Sequence, residues 1–126
     1  MTDKYIPIEE VFVYKISREL CDLGWEIYEP LDWRDKKTMG DQFISAVDSN
    51  AANIVEGYGR FHYLDRIKFY YNARASLMES KHWCELLYVR DKILEEKYKQ
   101  FIERAGQVHY QLNKWIKLTY SSKDSK

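Results

Sequence analysis

The sequence predicts an all-α protein, folded as an antiparallel four-helix bundle with up-down-up-down connections. Three observations predict this fold. Apolar residues recur every three or four positions through most of the chain, no stretch alternates polar and apolar residues as a half-buried strand does, and the connections between periodic segments are short. The 126 residues suffice for one core, so we expect a single domain over 1–126.

The first helix is expected over residues 8–29. Its apolar residues follow a 3-4-3-4 spacing that marks one buried face: Val13, Ile16, Leu20, Leu23 and Ile27. Pro30 and the polar stretch 32–37 end this helix. Thr38, followed by Asp41 three residues later, is expected to cap a second helix over 38–58.

The second helix carries two neighbouring stripes of different character. The apolar stripe consists of Ile44, Val47, Ala51, Ile54 and Tyr58. The other stripe is small or bears amides, and it consists of Ala46, Asn50, Asn53 and Gly57. Such a stripe predicts the close approach of another helix. Gly57 and Gly59 are expected to end the helix in left-handed backbone angles, and a lone Gly-x-Gly with no preceding strand does not predict a phosphate loop.

The third and fourth helices are expected over residues 63–90 and 95–120, followed by a polar tail over 121–126. One face of the third helix carries Tyr70, Ala73, Leu77, Ser80, Cys84 and Leu87. The corresponding face of the fourth carries Tyr98, Phe101, Ala105, Val108, Leu112 and Trp115. Both stripes continue over the whole helix, so the two helices contribute to one core.

Composition limits the classes of function. No apolar run approaches the roughly 20 residues that span a bilayer, and the polar start favours the cytoplasm and two reduced cysteines. The formal net charge is zero, but residues 1–60 carry 7 basic and 12 acidic side chains, whereas residues 61–126 carry 13 and 8. Aromatic residues make up 16%, which favours interfaces and predicts self-association.

Polar residues interrupt the apolar pattern of the second and third helices, at Asn53, Glu56, Arg74, Ser76 and Glu79. Antiparallel packing could join them in one hydrogen-bonded network, because burial demands such pairing. The network would fix the register of the helices. The two other interpretations are a ligand or phosphate site at Arg74, and catalysis by Glu56 or Glu79.

The Glu79-Ser80-Lys81-His82 sequence resembles one Glu-x-x-His pair of a di-metal bundle. That architecture needs a second pair on another helix, and neither His62 nor His109 has a glutamate three residues before it. Neither cysteine has a recognisable base beside it in the sequence. We therefore predict no catalytic residue, no metal and no cofactor.

Cations and aromatic rings alternate around the second turn, between residues 58 and 74. In a nucleic-acid complex, Arg60, Arg66 and Lys68 would contact phosphate, and Tyr63 would stack or pack. The same composition also builds subunit interfaces with the cations at the rim. The segment is therefore a candidate for either kind of contact.

Two motifs and the single residue Gln42 resemble the signature of one bacterial family. The motifs are Asn53-Ile54-Val55-Glu56-Gly57-Tyr58-Gly59-Arg60 and Ala73-Arg74-Ala75-Ser76-Leu77. The family comprises four-helix bundles first noticed as products of intervening sequences in 23S ribosomal RNA genes, with relatives among the accessory variability proteins of diversity-generating retroelements. The resemblance covers residues 8–120. It implies ring-shaped homopentamers, no catalytic activity, and nucleic-acid binding through basic surfaces in the retroelement relatives.

This chain departs from its relatives on the second helix. Many relatives carry arginines where this chain has Ile44 and Ser45, and often a proline where it has Ala51, and each lost phosphate contact lowers affinity. The sequence predicts a cytoplasmic, non-enzymatic oligomer that binds nucleic acid, with structured RNA as the leading partner and no membrane. The alternative is a protein-interaction scaffold that presents the acidic residues of the first helix: Glu9, Glu10, Glu19, Asp22, Glu26 and Glu29.

Overall fold

The computed structural model describes residues 6–122, which form four long helices and no strand within that range. The bounds are Phe12–Tyr28 for α1, 33–58 for α2, Tyr63–Val89 for α3 and Glu95–Ser121 for α4. A 3₁₀ turn at Ile8–Glu10 precedes α1, so the first helix begins later than its apolar pattern predicts. The expected polar tail lies mostly outside the described residues, and Ser121 still belongs to α4.

Helix α2 begins five residues before the predicted start. It runs without a break through Trp33–Asp35, a π-helical segment Lys36–Gly40, and Asp41–Tyr58. The prediction that Thr38 caps this helix is wrong, because its hydroxyl donates to the Arg34 carbonyl, 3.0 Å away, inside the helix. Asp32 is the cap: its carboxylate accepts from the amide of Asp35 at 2.8 Å, which satisfies one of the unpaired amides of the first turn.

The four helices pack in a closed circuit, in which α1 and α3 each contact both α2 and α4. Contacting residues run in opposite numerical order on every adjoining pair, so adjoining helices are antiparallel. Between α1 and α2 they are Tyr28 with Asp41 and Cys21 with Val47; between α2 and α3, Ser49 with Ser76 and Gly57 with Tyr70. Between α3 and α4 they are Arg74 with Asn113 and Tyr88 with Tyr98; between α1 and α4, Glu19 with Arg104 and Glu26 with Lys97. This arrangement is the predicted bundle.

The buried apolar side chains form two clusters along the bundle axis. The larger one surrounds Phe43 and Phe101, whose ring centroids are 5.2 Å apart. The smaller one surrounds Tyr70, near the end of the bundle that carries the α2–α3 turn. Phe43 was absent from the predicted apolar stripe. It lies three residues before Ala46, in line with the small stripe of α2, and it is fully buried because that face of α2 packs into the bundle.

The turns at the two ends of α3 use different backbone devices. Gly59 has a φ of −79°, and no glycine among the described residues has a positive φ, so the predicted left-handed glycine cap is wrong. Instead, Gly57 is buried against the ring of Tyr70. After α3, Asp91 adopts a φ of 65° and the amide of Lys92 donates to the Leu87 carbonyl at 2.8 Å, which closes the helix end.

Candidate nucleic-acid interface and polar network

The α2–α3 turn presents Arg60 at one end of the bundle. Its guanidinium pairs with Glu56, one helical turn back, at 3.0 Å and lies 4.7 Å from the ring centroid of Phe69. The side chain keeps 45% of its surface exposed. Arg60 is therefore held in place by a carboxylate and a ring while its guanidinium still faces solvent.

The other three predicted contacts differ in accessibility. Arg66 is half-buried, and its Nε donates to the carbonyl of Arg60 at 2.7 Å, which closes the turn. Tyr63 begins α3 and is also half-buried, whereas Lys68 is exposed. The structure thus leaves Arg60 and Lys68 available to an external phosphate and commits the Nε–H of Arg66 to the fold.

Phe61 belongs to the predicted basic and aromatic segment but was not among its four predicted contact residues. Its side chain is 76% exposed, and its ring meets the edge of His62 at 5.1 Å between centroids. A large exposed ring in a segment that also carries an exposed arginine can stack on an unpaired base. Its place directly after Arg60 in the sequence is the signal that could have singled it out.

The structure brings two of the five predicted network residues together. The Nδ2 of Asn53 donates to the Ser49 carbonyl at 2.9 Å and lies 3.0 Å from its hydroxyl. The Ser49 hydroxyl in turn lies 3.0 Å from that of Ser76 on α3. Ser49 is the bridging residue, and it was missing from the prediction. These contacts tie α2 to α3 beside a shallow pocket of about 350 Å³ that Glu79 also lines.

The remaining three members were wrongly grouped with this network. Glu56 pairs with Arg60, Glu79 accepts from the indole nitrogen of Trp83 at 3.2 Å, and Arg74 donates to Asn113 on α4. Arg74 points away from this network because of the rotation between successive residues of a helix. Two residues apart on a helix means about 200° of rotation, so Arg74 faces α4 when Ser76 faces α2.

Asn50 is a fully buried polar side chain of this interface, and it was predicted only as part of the small stripe. It is 0% exposed, and its Nδ2 donates to the Ala73 carbonyl at 2.9 Å. Its Oδ1 has no hydrogen-bond partner within the described residues. A buried amide with one satisfied end fixes the register of α2 against α3, because any slip would strand the donor as well.

The groups considered for catalysis or metal binding lie apart. Burial raises the pKa of the Cys84 thiol to about 12, and burial together with Asp48 raises that of Cys21 to about 12. Both cysteines are free. Glu79 and His82 each contact Trp83, and residues 6–122 contain no group of three metal-ligating side chains.

Along the part of the chain that the structure describes, no helix combines the length and apolar character that crossing a bilayer requires. The four helices carry charged residues throughout their exposed faces.

Comparison with known proteins identifies the family. The model of the 23S rRNA-intervening sequence protein family matches residues 9–114, which include both motifs, the α2–α3 turn and the buried Asn50. The chain belongs to this family. No curated protein matches the chain.

One solved structure similar to this family member is a protein of unknown function from the S23 ribosomal protein family of Bacteroides thetaiotaomicron. It is 24% identical, covers 83% of this chain and 98% of its own, and superposes with a TM-score of 0.77. At this identity the likeness concerns the fold, and the fold is the four-helix bundle that the sequence predicts.

Proposed function

We propose that this protein acts without catalysis, as an assembly of identical bundles that binds nucleic acid at the α2–α3 turn. One observation carries the proposal: the consecutive residues Arg60 and Phe61, in the turn at one end of the bundle, both have exposed side chains. A cation for phosphate and a ring for a base are the two elements of single-strand recognition. The names of the matched family and of its structural relative refer to ribosomal RNA and to a ribosomal protein, which makes structured RNA the first probe.

The distribution of charge supports assembly of identical copies. The acidic half of the sequence forms α1 and α2, and the basic half forms α3 and α4. Because α1 packs on α2 and α3 packs on α4, the bundle has an acidic side and a basic side. Opposite sides attract and like sides repel, so copies associate head to tail, and such contacts close into rings when the rotation allows.

Exposed apolar side chains support the same contact. On α3 they form an outer stripe along one face, because they are spaced by seven or eleven residues: Leu64, Tyr71, Met78 and Val89. On the acidic side, Trp25 is 50% exposed next to Tyr28, whose hydroxyl donates to Asp41 of α2. Burying these surfaces between copies supplies the apolar contact that charge complementarity orients.

Salt-dependent binding tests the nucleic-acid function. Labelled structured RNA and duplex DNA are titrated with protein at about 50 and 200 mM salt, and fluorescence anisotropy is recorded. Two phosphate contacts per chain, by Arg60 and Lys68, predict a loss of affinity of about tenfold over this range. Replacing Lys68 by Gln should weaken binding, whereas the control Lys99→Gln, exposed at the other end of the bundle, should not.

Two results would remove the nucleic-acid function. One is an absence of binding at the lower salt concentration. The other is equal binding by wild type and the Lys68 and Arg60 variants. If copies still assemble in that case, the scaffold function takes its place, with the acidic side as the docking surface.

Assembly has its own test, independent of nucleic acid. Sedimentation should give an oligomer that the substitution Met78→Glu dissociates, because the new charge lies in the outer stripe of α3. Leu118→Glu is the matched control. Leu118 is 60% exposed and lies two turns from Gln111, which with Phe12 lines the α1–α4 pocket, so it faces away from the stripe. Dissociation by both variants, or by neither, would contradict this contact.

A further inference from the structure

The groove between α3 and α4 gathers cationic and amide side chains from both helices. Arg74 and Lys81 come from α3, and His109 and Asn113 come from α4, and all four are half-buried. The Nη1 of Arg74 donates to the Oδ1 of Asn113 at 2.7 Å, and the guanidinium lies 4.9 Å from the ring centroid of Tyr71. The arginine is thus held by an amide and a ring, and no carboxylate of residues 6–122 forms a salt bridge with it.

The register of the helices puts His109 between the two α3 cations. Arg74 contacts Asn113, one turn beyond His109, and Lys81 lies two turns from Arg74 in the opposite direction along the groove. Burial lowers the pKa of His109, and the charges of Lys81 and Arg74 lower it further. Within residues 6–122, neither Arg74 nor Lys81 makes a salt bridge, whereas α4 makes two with α1, Lys97 with Glu26 and Arg104 with Glu19.

The chemistry of this group is that of donors. Since the Oδ1 of Asn113 accepts from Arg74, its amide nitrogen is left to donate. The guanidinium has N–H groups beyond the one given to Asn113, the ammonium of Lys81 donates three, and the imidazole of His109 donates one or two. Like charges held together in a half-buried groove repel one another, and a bound anion relieves that repulsion.

We propose that the α3–α4 groove binds a phosphate monoester dianion, through Arg74, Lys81, His109 and Asn113. Two fixed positive charges match the two charges of the ligand, and donors on both helices match its tetrahedral oxygens. A single carboxylate would neutralise only one of them. The site is independent of the α2–α3 turn, and it goes beyond the proposed function because its ligand is a small anion.

Calorimetric titration with inorganic phosphate and with a nucleoside 5′-monophosphate tests the site. Lys81→Gln should weaken the binding of either probe by about tenfold, the effect of one charge-assisted hydrogen bond. Arg74→Gln should weaken it at least as much. Lys99→Gln is the matched control, since Lys99 is an exposed lysine of α4 more than two turns from His109, and it should bind like wild type. Comparing the two probes distinguishes free phosphate from a phosphorylated nucleoside.

Lys81 has no hydrogen bond or ion pair among the described residues, so its variant keeps the fold even if Arg74→Gln does not. Binding to Lys81→Gln that equals wild type would overturn the proposal. Equal heats from chloride at the same ionic strength would overturn it as well, because that result would describe screening alone. An affinity that is lost when copies assemble would assign the groove to a carboxylate of the next copy, and would also overturn it.

The protonation of His109 gives a second readout. The groups that face its imidazole are Lys81 and Arg74 on α3, and both favour the neutral ring. An anion favours the charged ring, so binding should strengthen as the pH falls from about 8 to about 5.5. Sulfate is the probe here, because its charge is constant over this range. His109→Gln should abolish the dependence, and a wild-type affinity for sulfate that does not change with pH would exclude His109 from the site.

Discussion

Helix α2 approaches α3 closely at Gly57, and replacing this glycine tests the packing directly. A Cβ at position 57 would lie 2.6 Å from the Cε1 of Tyr70 and 3.0 Å from the Cβ of Phe69. Tyr70 is 1% exposed and fixed between α2 and α4, where its ring meets that of Trp115. Neither contact can be relieved by moving the free end of a flexible side chain, so Gly57→Ala must push the helices apart.

The cost follows from two opposing terms. Overpacking a well-filled core costs about 1–3 kcal/mol, and the ring contact at Gly57 belongs at the upper end of that range. Alanine recovers about 1 kcal/mol of helix propensity relative to glycine. We therefore expect Gly57→Ala to lower the free energy of unfolding by about 2 kcal/mol. Equilibrium urea unfolding, followed by far-ultraviolet circular dichroism at one fixed protein concentration, measures the change.

Gly106→Ala is the matched control, because a Cβ at position 106 of α4 meets no atom within 4 Å. There only the propensity term acts, and the substitution should raise the free energy of unfolding by about 0.5–1 kcal/mol. The two variants should therefore differ in sign. If Gly57→Ala were as stable as wild type, the helices would not be packed as closely as described.

Three further predictions concern single residues. Asp32→Ala should lower the free energy of unfolding by about 1 kcal/mol, because it removes the cap of α2, and a loss below about 0.3 kcal/mol in urea unfolding would exclude that role. Asn50→Asp should cost at least about 3 kcal/mol near neutral pH, since it buries an unpaired charge. Burial raises the pKa of the new carboxyl above its unfolded value, so the loss should shrink as the pH falls toward about 4, and unfolding at both pH values checks this. Cys21 and Cys84, with pKa values raised to about 12, should react slowly with a disulfide reagent near pH 8 when folded and quickly in urea; rapid reaction of both in the folded protein would contradict their burial.

The helices themselves were predictable because periodicity is local. The spacing of Leu20 and Ile27 on α1, or of Leu77 and Cys84 on α3, places each pair on one face whatever the rest of the chain does. The start of α2 was not predictable in the same way. Both Asp32 and Thr38 can cap a helix, and the choice depends on which amide each side chain reaches.

The sequence could indicate which polar residues belong to the candidate sites, but it could not indicate which side chain each of them contacts. The motif residues Asn53 and Ser76 were correctly associated, since both contact Ser49. Arg74 was grouped with carboxylates although it contacts Asn113, a residue 39 positions away that carries no distinguishing pattern. Asn113 and His109 become notable only when the register of α4 against α3 is known.

By itself the sequence determined that the chain forms four amphipathic helices, that its two halves carry opposite charge, and that two motifs belong to one family. These properties depend on residue spacing and composition, which are written along one chain. Only the tertiary structure decided that α1 packs on α2 and α3 on α4, so that the charges separate into two sides, and that Arg74 and Lys81 share a groove with His109. The physical reason is rotation and register: about 100° per residue decides which helix a side chain faces, and that is set by packing between helices.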